Sequence, residues 1–283
     1  MDPAEILTRP APPPDATIRY GPGPDNIADV RLPSGGGPRG ASAGSGQPLV
    51  VVLHGGFWRA AFDRKHVGPM AAALAAEGHL VCVPEFRRVG QAGGGWPGTF
   101  DDVAAAVDRL PLLVAAIAPG ACDPARLLLL GHSAGAHLAL WAAGRHLLPR
   151  DVPWRADAGL RPRIAGVAAL APVSDLVACH RQRLGGGAAA DLLGGGPEQH
   201  PQRYAVADPA RLIPLGVSVR IVHGITDDQV PCEMSRSYAA RAHSAGDDAL
   251  LEALPGCGHF EVIDPRSAAW PTVLAAIRAL AVG

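Results

Sequence analysis

Aromatic residues make up only 5% of this 283-residue chain, and lysine occurs once, at Lys65. Charge of either sign is thin: 25 basic against 26 acidic residues leave a formal net charge of −1. No field exists to gather polyanions, which excludes an ordinary nucleic-acid binder. Cysteine is sparse as well. Cys82, Cys122, Cys179, Cys232 and Cys257 form an odd set without any C-x-x-C spacing. That excludes a disulfide framework and a zinc ribbon, and predicts a reduced, cytoplasmic setting. The longest aliphatic stretches, such as Leu127 to Leu130 and Ile164 to Val173, fall far short of the roughly 20 residues that cross a bilayer as a helix. The opening MDPAEILTRPAPPPDA carries acids and a proline cluster where an export signal needs a basic start and an apolar stretch.

What is present is apolar. Hydrophobic residues reach 48%, enough to offset chain entropy and predict one large soluble globule spanning residues 1–283. Glycine and proline, 35 and 28 residues, imply loops rather than disorder. Thr17 to Tyr20 and Ala28 to Leu32 read as an opening hairpin around the turn-forming GPGPDN. Residues 34–47, SGGGPRGASAGSGQ, have almost nothing that packs and predict a flexible glycine-rich loop. Beyond it come the short runs LVVVL, HLVCV, RLLLL, IAGVAAL, VRIVH and ALLEAL, most of them separated by helix-length segments. This alternation predicts a mostly parallel central sheet of about eight strands. Amphipathic stretches at Val67 to Glu77, Thr99 to Ile117, Ala134 to Leu147, Glu233 to Ser244 and Ser267 to Leu280 would cover both faces. Residues 176–212 lose the rhythm to two glycine triplets and read as a small lid.

One junction carries chemistry. Leu127 to Gly135, LLLLGHSAG, followed by AHLALWAAG, is a buried strand, a tight turn and a helix with Ser133 at the turn. Glycines two residues to either side suit a strained turn where strand and helix nearly touch. Ser133 is thereby the candidate nucleophile, with the backbone N–H of Ala134 offered to a developing oxyanion. The string alone is cheap in a glycine-rich chain: Gly40 to Gly44 also fits, but Ser42 has no strand before it and no helix after it. A serine hydroxyl needs a base, and that base needs a carboxylate. The acid should precede the histidine in chain order. His259, in the loop after ALLEAL, is the candidate base; His243 falls within a helix and His223 precedes the acids. Asp227 and Asp228 both follow the strand VRIVH, and spacing alone does not separate them. At the first central strand, His54-Gly55-Gly56-Phe57-Trp58 can turn the amides of Gly56 and Phe57 into the cleft as further oxyanion donors.

These segments resemble those of the arylformamidases (kynurenine formamidases) and their esterase relatives. His54 to Trp58 is similar to their HGGxW motif, Gly131 to Leu138 to their serine elbow, and Gly258-His259-Phe260 to their histidine loop. His223 to Pro231 resembles their HGxxDxxVP segment, which assigns the acid to Asp227. The likeness runs from about Val51 to Trp270 and departs at Glu85-Phe86-Arg87, where relatives often carry a tyrosine before the arginine. It implies an α/β-hydrolase fold and a serine hydrolase of small carboxylic esters or aryl formamides. The same constellation serves acyl transfer, or, with an idle serine, ligand recognition. No metal or organic cofactor is called for: HExxH and a phosphate loop are absent, and the G-x-G-x-x-G of Gly35, Gly37 and Gly40 opens no helix. His132 and His137 lie five apart and read as packing residues. Phe57, Trp58, Phe86 and Trp96 are the aromatics available to wall an apolar substrate pocket, with Trp58, Phe86 and Trp96 placed in the binding site, and the same four scattered residues read equally well as core.

Overall fold

The computed structural model describes residues 3–34, 47–156 and 162–281. The expected glycine-rich loop falls almost wholly on residues 35–46, outside the described residues, as does Ser42.

Eight strands form one sheet: β1 (Ala16–Arg19), β2 (Ile27–Arg31), β3 (Pro48–Leu53), β4 (Val81–Pro84), β5 (Asp123–His132), β6 (Arg163–Leu170), β7 (Val219–Gly224) and β8 (Ala249–Leu254). Their spatial order is β1-β2-β4-β3-β5-β6-β7-β8. The opening hairpin pairs antiparallel, with Thr17 opposite Asp29, and β2 runs antiparallel to β4. Every other pairing is parallel. Each of the six apolar runs of the sequence became one of the six parallel strands, as continuous hydrophobicity demands of strands covered on both faces.

The helices are α1 (Pro3–Thr8), α2 (Gly68–Ala76), α3 (Gly98–Ile117), α4 (Ala134–Ala143), α5 (Leu176–Arg181), α6 (Ala188–Leu193), α7 (Pro201–Ala207), α8 (Cys232–Ser244) and α9 (Trp270–Ala281). Side chains alternate across a strand, and the core divides accordingly. Leu49, Val51, Leu53, Leu127 and Leu129 pack with α3, α4 and α8, whereas Val50, Val52, Leu128 and Leu130 pack with α2 and α9. The helix expected over Ala134 to Leu147 ends at Ala143 and tightens into a 3₁₀ turn over Gly144–Leu147. Residues 176–212, read in the sequence as a small lid, hold α5, α6 and α7, and the proline-rich lead begins with α1, a helix the sequence reading did not anticipate. All five cysteines are free and buried. Among the described residues no helix is long and apolar enough to cross a membrane.

The chain leaves β3 toward β4 on one side and later returns to β5 on the other. That reversal opens a crevice at the carboxyl ends of β3 and β5.

Candidate active site

Parallel pairing sets Leu53 opposite Gly131, which brings the turn after β3 against the turn after β5. Ser133 sits there with φ 56° and ψ −119°, a region costing a non-glycine residue on the order of 1–3 kcal/mol. The surroundings hold it: its N–H donates to Leu170 O at 2.8 Å, and its carbonyl accepts from His137 N at 3.1 Å and Val173 N at 3.3 Å. The flanking glycines are there for space. A Cβ on Gly131 would lie 2.3 Å from Gly135 O, and one on Gly135 would lie 2.0 Å from Leu53 O. Ser133 therefore stands at the crevice on the first turn of α4, whose leading N–H groups, Ala134 among them, have no intrahelical acceptor.

Ser133 and His259 line the same cleft, of about 60 Å³. They are 2% and 4% exposed. His259 Nδ1–H donates to Asp227 Oδ2 at 2.6 Å, which leaves Nε2 of the neutral ring as an acceptor. Asp227 is itself fully enclosed. Its Oδ1 accepts from the N–H groups of Gln229 and Val230, both at 2.8 Å. Burial alone would push its carboxyl up, but the bonds from His223 and His259 outweigh that and hold it well below the usual carboxylate range. Among the described residues, the Asp228 side chain hydrogen-bonds with the side-chain amide of Gln229, at 3.1 Å, and with no other.

Gly56 and Phe57 also line the cleft. Gly56, Phe57 and Trp58 have φ of +106°, +49° and +57°, and the N–H groups of Gly56 and Phe57 find no acceptor among the described residues. This turn is braced from two directions. His54 Nε2–H donates to Glu85 Oε1 at 2.8 Å, and its ring stacks on Phe86 at 4.3 Å. Trp58 Nε1–H donates to His137 Nδ1 at 3.2 Å, while His137 Nε2–H donates to Ala207 O at 3.0 Å. Burial pushes His137 down to about 4, so its ring stays neutral and both bonds keep their direction. Gly185 (φ +55°) lets the segment between α5 and α6 lie against the Phe57 ring, since a Cβ there would meet that ring at 2.7 Å.

The four aromatics divide between the core and the cleft. Trp58 and Phe86, each 1% exposed, serve as braces inside the core, and Trp96 packs edge-on against Trp154 and Phe100. Of the four, Phe57 lines the cleft beside Ser133, together with Leu7, Phe62 and Phe260. Trp58 is held by His137 and Phe86 by His54, a fact of three-dimensional packing invisible in spacing.

Two further residues were passed over in the sequence. His223 donates through Nε2–H to Asp227 Oδ2 at 3.0 Å and to Val230 O at 2.9 Å, and its Nδ1 accepts from Ser235 Oγ at 2.7 Å. Glu85 anchors the turn after β3 by accepting from His54, from Phe86 N and Arg64 N at 3.1 Å each, and by pairing with Arg88 at 3.2 Å. Burial would raise its carboxyl, yet the bond from His54 and the charge of Arg88 lower it to about 2. The only available signal for either residue was the leading histidine of each motif, a polar letter at the end of a buried strand. His132, buried beside His259, donates from Nε2 to His259 O at 2.9 Å. Desolvation and the neighbouring His259 hold it well below its ordinary value, so it stays uncharged. Among the described residues no group of three or more His, Cys, Asp or Glu side chains is placed to hold a metal ion.

Known proteins share this framework. The chain superposes with a TM-score of 0.77 on a truncated form of a carbohydrate esterase from gut microbiota, at 18% identity, covering 97% of this chain and all of that one. Esterase 2 of the Planctomycetes species Thermogutta terrifontis, with propionate bound, superposes at 0.69 and 20% identity over 94% and 93% of the two chains. These likenesses establish the α/β-hydrolase fold. In sequence, the chain is 26% identical over 263 residues to isoprenylcysteine alpha-carbonyl methylesterase ICME of Arabidopsis thaliana. That match covers 87% of this chain and 56% of the relative, so the chain spans little more than half the relative's length. Residues 39–241, well over half of the chain, match the BD-FAE family, and the chain belongs to that family.

Proposed function

We propose that this chain hydrolyses small carboxylic esters through an acyl-enzyme formed on Ser133. The observation that carries the reading is a hydrogen-bonded Asp227–His259 pair opening onto the same cleft as a serine in a strained strand-to-helix turn. With Nδ1–H committed to Asp227, His259 takes the Ser133 proton on Nε2 while Oγ attacks the ester carbonyl carbon. Asp227 stabilises the imidazolium that results. The amides of Gly56, Phe57 and Ala134 receive the tetrahedral oxyanion, each well-placed donor contributing on the order of 10²–10³ in rate. His259 then gives its proton to the departing alcohol, and water releases the acid by the reverse sequence.

The names of the Arabidopsis methylesterase, the gut carbohydrate esterase and the Thermogutta esterase favour an ester over a formamide. An aryl formamide would pass through the same acyl-enzyme, and comparing rates on p-nitrophenyl acetate and N-formylkynurenine decides between the two. Ser133→Ala should lower kcat on the better substrate by at least about 10³-fold. Near-normal turnover of that variant would overturn the assignment.

A further inference from the structure

One wall of the cleft comes from neither the sheet nor residues 176–212. Leu7, on α1, is half-buried and lines the same cleft as Phe62, His66, Ser133 and His259. A helix of six residues does not hold itself in water, so its seat has to come from tertiary contacts, and two are present. Ile6 is buried in the cluster that contains Val67 and Met70. Arg9 donates to the enclosed carboxylate of Asp264 and, at 3.1 Å, to Glu5. Asp264 lies just past the loop that carries His259, and its Oδ1 also accepts from Arg266 N at 3.0 Å. The N-terminal segment is thus fastened to the element that carries His259.

The room it leaves is small. The cleft measures about 60 Å³, so a chain beside Ser133 soon reaches its walls. A longer chain extending that way meets the Leu7 side chain. We propose that Leu7 sets the upper limit on the substrate chain held beside Ser133, making α1 a specificity element of the cleft. This rests on Ser133 being the acylated residue.

The test measures kcat/KM on two series: p-nitrophenyl acetate, butyrate and octanoate, which vary the acyl chain, and methyl, butyl and octyl acetate, which vary the alcohol. In one series Leu7→Ala raises the ratio of the longest to the shortest member about tenfold, and Leu7→Trp lowers it. Leu112→Ala, at a 70% exposed position on α3, leaves the ratio as in the parent chain. Far-UV circular dichroism and melting temperature certify that each variant is folded. Unchanged ratios in both series for both folded Leu7 variants overturn the proposal while leaving the Ser133 reading intact. Failure of the parent chain to hydrolyse any member overturns both.

Discussion

Glu85→Gln tests whether the turn after β3 is held by buried charge. The carboxylate pairs with Arg88 at 3.2 Å, both side chains at most 5% exposed, and also accepts from His54 and from two backbone N–H groups. Losing one partner of a buried pair costs about 3–5 kcal/mol. Arg88 keeps Asp25 at 3.2 Å and the carbonyl of Phe62, so the lower end, about 3 kcal/mol, applies. The titration behaviour gives the same size. A carboxyl lowered from 4.5 to about 2 stores about 3 kcal/mol at about 1.4 kcal/mol per pH unit. The sign follows from proton uptake. Below pH 4.5 the unfolded chain binds a proton that the folded one refuses until about pH 2. The contribution is therefore complete above 4.5 and lost as pH falls through that window. Asp227, also held low, contributes equally to both chains and cancels in their difference. Thermal melts should place the variant about 6–12 °C below the parent at pH 7, with the gap closing toward pH 2. Because His54 loses its carboxylate partner, kcat should fall with it. Equal melting temperatures at pH 7, or a gap that persists undiminished at pH 2, would refute the reasoning.

Two other substitutions probe the elbow and the acid. Gly135→Ala sets a methyl 2.0 Å from Leu53 O, a backbone atom that cannot turn aside, so destabilisation of at least about 3 kcal/mol is expected in a urea titration. A midpoint equal to the parent's would contradict the close approach. Ser235→Ala removes the hydroxyl that holds the His223 ring. A lost buried hydrogen bond of about 1–3 kcal/mol should show as reduced stability together with a fall of about tenfold in kcat on the better substrate. A stability loss with unchanged kcat would confine the Ser235–His223 pair to folding.

Much of this architecture could be read from residue order because its signals are local. A continuous apolar run bounded by turn residues has few places to go but a sheet covered on both faces, and the glycines around Ser133 mark a turn that larger residues cannot make. Asp227 and His259 were singled out through chain order and the resemblance of their segments, and the fold sets the two side chains in hydrogen-bond contact. Residues 176–212 were harder: α5, α6 and α7 are short, interrupted by glycines, and make contacts such as Gly185 on Phe57, which no window of sequence contains. The aromatic residues could not be divided between pocket and core for the same reason. Trp58 and Phe86 look like pocket material until His137 and His54 are seen to occupy them. Leu7 was hidden by distance, since nothing in a proline-rich lead announces that it meets a histidine loop some 250 residues away.

The most direct measurement is covalent labelling of the intact protein with a fluorophosphonate, followed by peptide mapping. A serine activated by the Asp227–His259 pair should yield one adduct, carried by Ser133, with labelling slowed by orders of magnitude in His259→Ala. Absence of an adduct from the folded parent chain, an adduct on another residue, or undiminished labelling of the His259 variant would contradict the proposal that these three side chains form one reactive unit.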